Sequence, residues 1–162
     1  MEDFGSAGLR RLLAAMPDAV VSSHAQHGDV TALLKRERLA DAMRLLRDDA
    51  ESAFDMLSDV CAVDYLGEEP RFEVVYHLYS LARNQRLRVK VRVPEADPVV
   101  DSLVGLWASA NWMEREVWDL YGIRFRHHPD LRRILLYDEF QGHPLRKDYP
   151  KERRQPLVGP RN

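Results

Sequence analysis

Apolar residues recur along this chain with two different periods, and the switches between them mark its elements. Leu9, Leu12, Leu13 and Met16 fall at helical spacing, and Pro17 closes the short first helix that they predict. Residues 19–24 and 30–34 read as two strands that turn at Gly28-Asp29. A second helix is predicted over 39–49, with Leu39, Met43 and Leu46 as its core stripe. Three strands follow, at 54–63, 72–81 and 86–93. The middle one is apolar on both faces, so it belongs in the interior of a sheet. In the last, Leu87, Val89, Val91 and Val93 alternate with Arg86, Arg88, Lys90 and Arg92, which predicts one buried face and one basic face. Asn84 sits in the short connection and suits a hairpin.

After a loop between Pro94 and Pro98, Asp101 or Ser102 is placed to cap a further helix that runs to about Tyr121. Its stripe is Leu103, Leu106, Ala110, Met113, Val117 and Leu120, and Gly122 is a suitable stop. The order α-β-β-α-β-β-β-α predicts an α+β fold in two layers. A mixed β-sheet of about five strands carries helices on one side, followed by an extended C-terminal segment. The expected division is a globular domain over 1–125 and a basic segment over 126–162. Periodicity fails after Phe125, and so long a stretch without its own elements points to function.

Composition narrows the class. With 162 residues, 45% hydrophobic and 31% charged, the chain can bury one sizeable core. No apolar run approaches the roughly 20 residues that span a bilayer. The start, Met1-Glu2-Asp3-Phe4, has no signal-peptide pattern, so a cytoplasmic chain is expected, reaching a membrane only through a partner. The single cysteine, Cys61, cannot hold an iron–sulfur cluster or complete a cysteine-based zinc site, and it reads as a small strand residue. Charge is uneven. Arg124 to Asn162 carries 10 Lys and Arg against 5 Asp and Glu, and the rest carries 14 against 21, so a basic end is set to dock on something negative.

Three dense stretches remain. The first, Ala110 to Gly122, places Glu114 on one helical face with Trp107, Asn111, Trp118 and Tyr121, and sets Arg115 and Asp119 four apart for a pair. That face is either solvated or partly desolvated. In the second case Glu114 needs a donor from a neighbouring chain or from the arginines that follow. The others are His127-His128-Pro129-Asp130-Leu131-Arg132-Arg133-Ile134-Leu135 and Gly142-His143-Pro144-Leu145-Arg146-Lys147-Asp148-Tyr149-Pro150. Taken in order with Ala-Asn-Trp-x-Glu-Arg-Glu-x-x-Asp-x-x-Gly-Ile-x-Phe, these words resemble the signature run of the C subunit family of respiratory complex I, the proton-pumping NADH:quinone oxidoreductase (NADH dehydrogenase). Residues 59–65 and 72–78 also resemble that family's strands. One departure is His127, where members often carry Gly. Another is that some members continue well beyond the Asp-Tyr-Pro word.

The resemblance implies a non-catalytic scaffold of the peripheral arm, on the cytoplasmic side of the inner membrane, beside the large hydrogenase-related component (the D subunit) and iron–sulfur subunits. FMN and iron–sulfur clusters are then expected on partner subunits, and no cofactor, metal or catalytic residue on this chain. Under the same reading the partner interface comprises Glu114, Arg115, Glu116, Asp119, His128, Asp130, Arg132, Arg133, His143, Arg146, Lys147, Asp148 and Tyr149. The prolines of the tail limit the entropy lost on docking, and its arginines suit interfacial pairing.

Other classes fit less well. The histidines lack tight metal-ligand spacing, and there is no phosphate loop, Gly-x-Gly-x-x-Gly or nucleophile elbow, which argues against an independent enzyme. A pI near 6.3 with an acidic body is unlike a nucleic-acid module. The nearest alternative is the equivalent subunit of a membrane-bound hydrogenase or of a ferredoxin- or coenzyme-dependent quinone reductase.

Overall fold

The computed structural model describes residues 2–156. Helix α1, Ala7–Ala15, opens at Ser6, whose hydroxyl accepts from the Leu9 N–H at 3.3 Å. A 3-10 turn at Pro17–Ala19 leads into β1, Val20–Gln26, which pairs antiparallel with β2, Asp29–Leu34. His27 and Gly28 join them with φ of 56° and 86°, the two successive positive values that a tight hairpin turn requires. Helix α2 covers Leu39–Asp48. Strands β3 (Met56–Asp64), β4 (Phe72–Ser80) and β5 (Gln85–Val93) follow as an antiparallel meander.

The sheet order is β1-β2-β5-β4-β3, and only the β2–β5 pair is parallel, so the sheet is mixed as the pattern predicted. The doubly apolar β4 and the alternating β5 occupy interior positions. Leu87, Val89, Val91 and Val93 turn into the core with Leu9, Leu12, Leu39, Met43, Leu46, Phe54 and Tyr76, all buried. Each such side chain contributes about 1.5–3 kcal/mol relative to exposure. The basic face of β5 is not a free positive stripe: Arg88 pairs with Asp29, Lys90 with Glu73 and Arg92 with Glu68.

Three expectations need correction. Phe54 lies before β3 rather than in it; its ring fills the space where a Cβ on Gly8 of α1 would stand. The long helix from residue 102 does not form. Helix α3 spans only Ala110–Tyr121, after turns in which Leu103 O accepts from Leu106 N and Trp107 N. Leu103 and Trp107 are buried by those turns, so their helix-like spacing records a shared core and not a helix. Two short strands also lie where none is expected: β6, Val99–Asp101, pairs parallel with β7, Arg124–Arg126. The domain boundary expected at 125/126 therefore falls inside β7.

Among the described residues, no helix is long and apolar enough to cross a membrane.

Candidate functional site: a strap and its anchors

Residues 127–156 have no helix or strand of their own, yet they run back over the C-terminal end of α3 as a strap. The end of that helix is built to receive it. Gly122 caps α3 in the left-handed region (φ 78°), and a Cβ there would lie 2.6 Å from the His143 ring and 2.8 Å from Arg146 Nη2. Glycine is thus required twice, for backbone and for space. His143 Nδ1 donates to the Asp119 main-chain carbonyl at 2.9 Å, its ring stands edge-on to Trp118, and burial lowers its pKa. Arg146 Nε donates to the Tyr121 carbonyl at 2.6 Å. A helix leaves its last carbonyls without partners, and here the strap supplies them.

Asp119 is the first anchor. Its side chain is fully buried. One oxygen accepts from Arg133 Nη1 at 2.6 Å, and the other accepts the consecutive N–H groups of Ile134, Leu135 and Leu136 at 2.9–3.1 Å. Burial alone would raise its pKa, but those donors outweigh it and hold the carboxyl below its ordinary value. Arg133 also donates to the carbonyls of Phe140 and Gly142, closing the strap on itself.

The second anchor is Arg71, whose side chain is 2% exposed. It holds Asp64 with two bonds of 2.8 Å, Glu95 at 2.6 Å, and both oxygens of Asp148 at 2.8 and 3.0 Å. Asp64 also accepts from the Lys147 N–H at 2.7 Å. Hydrogen bonding to Arg71 lowers the pKa of both Asp64 and Asp148, and the pKa of Arg71 is raised in turn. A bidentate fork between two carboxylates is a role that guanidinium fills and ammonium does not.

Glu114 sits deeper. It is fully buried, accepts from the Leu103 N–H at 2.7 Å and lies 2.6 Å from the Ser102 hydroxyl. Burial pushes its pKa up to about 7 despite those two bonds. It ties the turn after β6 to α3.

A sequence profile described as "Respiratory-chain NADH dehydrogenase, 30 Kd subunit" matches residues 32–155. The chain belongs to that family. It is 52% identical over 142 residues to the C subunit of NADH-quinone oxidoreductase from Roseiflexus sp. (strain RS-1), covering 88% of this chain and 82% of the relative. The corresponding C subunit of Citrifermentans bemidjiense is 46% identical over 151 residues, 92% of each chain. Among solved structures, a trypsin-resistant fragment (1-134) of Nqo5 superposes with a TM-score of 0.68 at 37% identity, covering 76% of this chain and 99% of the fragment.

In this 30 Kd-family chain the residues singled out from sequence divide into two groups. Glu114 and Asp119 are fully buried and bonded within the chain; Glu114 finds its donors in Ser102 and Leu103, not in tail arginines. The Arg115–Asp119 pair does not form. Arg115 instead donates to the carbonyls of Arg132 and Arg133, because Arg133 occupies Asp119. His128 is fixed by accepting from the Asp130 N–H and bonding the Asn111 carbonyl. Arg133, His143 and Arg146 are likewise turned to the body, while Asp148 is half-exposed on Arg71.

Glu116, Asp130, Arg132 and Lys147 stay exposed, and Arg132 pairs with its neighbour Asp130. Tyr149 stacks on Phe140 and accepts from Gln155.

Sequence reasoning missed Asp64, Arg71 and Ser102. A signal for the first two existed: they flank one strand connection, and antiparallel pairing of Asp64 with Phe72 sets Arg71 beside it. Ser102 was read only as a cap for a helix starting there, which gave no sign of its bond to Glu114.

Proposed function

We propose that this chain is a structural and assembly subunit of the peripheral arm of a proton-translocating NADH:quinone oxidoreductase, on the cytoplasmic side of the inner membrane. It carries no catalytic group. FMN and iron–sulfur clusters belong to partner subunits, and this chain supports electron transfer from NADH to quinone by holding its neighbours in register. The chief partner is the large hydrogenase-related subunit, with iron–sulfur subunits nearby.

The observation that carries this reading is the strap. Its inner side is committed to buried charges, whereas its outer side presents Arg132, Leu135, Leu145 and Lys147, all exposed. A segment already ordered by its own body loses little entropy when a partner covers it. Exposed apolar residues among arginine and lysine suit a large, permanent interface better than a pocket.

The test is co-purification of the full chain with the large subunit. Reversing charge at Arg132 and Lys147 together should abolish capture while leaving the melting temperature of the free chain unchanged. Undiminished capture by a doubly reversed chain would remove the strap from the interface.

A further inference from the structure

Away from the strap, three side chains of different chemistry meet on the sheet face opposite the core. Asp59 of β3 stands directly across from His77 of β4, and Cys61 follows two residues along the same strand. A carboxylate oxygen, the thiol sulfur and a ring nitrogen lie within 4.8 Å of one another. We propose that Asp59, Cys61 and His77 bind a divalent transition-metal cation of the zinc type.

A β-bulge creates the arrangement. The β3–β4 register shifts between Leu57 and Asp59, so Leu57 points into the core while both Ser58 and Asp59 point out. Without that extra residue, strict alternation would send Leu57 and Asp59 to the same side. Ser58 fastens the bulge by donating to the His77 main-chain carbonyl at 2.9 Å. The strand is therefore re-phased at the one place where its carboxylate joins the thiol and the imidazole.

The donor set selects the metal. Thiolate, imidazole and carboxylate together match zinc and its neighbours, whereas magnesium and calcium need oxygen shells that one carboxylate does not provide. Metal–ligand bonds of about 2.0–2.3 Å put tetrahedral ligands roughly 3.3–3.8 Å apart, so closure asks for side-chain movements of about 1 Å. Three protein ligands leave the fourth position open to water or to a group from another molecule.

Nothing else in the described chain claims these groups. Among the described residues, no hydrogen bond or ion pair engages the Asp59 carboxylate, the Cys61 thiol or the His77 ring. The nearest cations are occupied, Arg88 by Asp29 and Lys90 by Glu73, and the exposed Glu116 adds negative potential at Cys61. Binding takes a neutral imidazole and a thiolate, so the Cys61 proton leaves to solvent as the metal binds.

Titration of the purified full chain with Co2+ tests the site, because a cobalt–thiolate bond has its own near-ultraviolet band. The expected result is one Co2+ per chain with that band, displaced by Zn2+. Cys61→Ser should erase the band, and His77→Gln should weaken binding at least about tenfold, with circular dichroism confirming that both variants are folded. A folded wild-type chain that shows no thiolate band, or a band that survives in Cys61→Ser, would overturn the assignment. Binding at exposed histidines alone would show as cobalt uptake without the band, and it would count against the proposal.

Discussion

Asp148 places both carboxylate oxygens on the guanidinium of Arg71, 77 residues earlier in the chain, at 2.8 and 3.0 Å. That contact makes the strap part of the fold. Arg71 is buried and Asp148 half-exposed, so the two sides should respond differently to mutation. Arg71→Ala leaves Asp64 buried beside an empty site and should cost about 3–5 kcal/mol. Asp148→Asn should cost no more than about 1 kcal/mol. Chemical denaturation of both variants checks the ratio; equal losses would mean that the buried Asp64 pair is not the main term.

Asp119→Ala removes the acceptor for Arg133 and for three backbone N–H groups at once. A loss of about 3 kcal/mol or more is expected, since buried donors are left unpaired. The strap should also loosen locally, so limited trypsin digestion should cut after Arg132 or Arg133 faster than in the parent chain. An unchanged cleavage pattern would contradict the anchor role.

Glu114 gives stability an unusual slope. Its folded pKa of about 7 lies above the ordinary 4.5, so the native state keeps a proton that the unfolded state releases between those values. Its contribution is full below pH 4.5 and falls as pH rises toward 7. Glu114→Gln keeps the acceptor for the Leu103 N–H and offers a donor to Ser102. It should therefore become the more stable protein above neutrality, by about 1–3 kcal/mol, and lose that advantage in acid. Melting curves of both chains across pH check the sign; parallel curves would rule out the protonated carboxyl.

Two backbone positions with positive φ predict effects of opposite sign. Gly122→Ala forces a Cβ toward His143 and should lower stability and loosen the strap. His127 holds φ 67° with a full side chain, so His127→Gly removes left-handed strain and should stabilise by up to about 1 kcal/mol. Thermal melts of the two variants decide both signs.

The sheet was legible because alternation survives in β5 and continuous apolarity in β4, and both features follow directly from burial. The parallel β2–β5 contact was not, since nothing local records which distant strand completes a sheet. The start of α3 was hidden because Leu103 and Trp107 obey helical spacing while lying in turns. The arginine-rich words coincide with the strap, but charge alone could not show which way its side chains turn. Asp119 and Glu114 look like surface residues in sequence, and only the fold reveals the donors that permit their burial. Alternation alone places Asp59 and Cys61 on one face, but only the extra residue at the bulge turns that face away from Leu57 and sets Asp59 opposite His77.

Removing the whole strap would also strip Asp119 and Arg71 of partners, so surface substitutions test assembly more cleanly than truncation. The most direct measurement is gentle affinity purification of the tagged full chain from native membranes, assayed for NADH:quinone activity and iron–sulfur signals. The parent chain should bring both, and the chain reversed at Arg132 and Lys147 should bring neither while remaining folded. A clean monomer from the parent chain, or clusters that evolve hydrogen without oxidising NADH, would contradict the account.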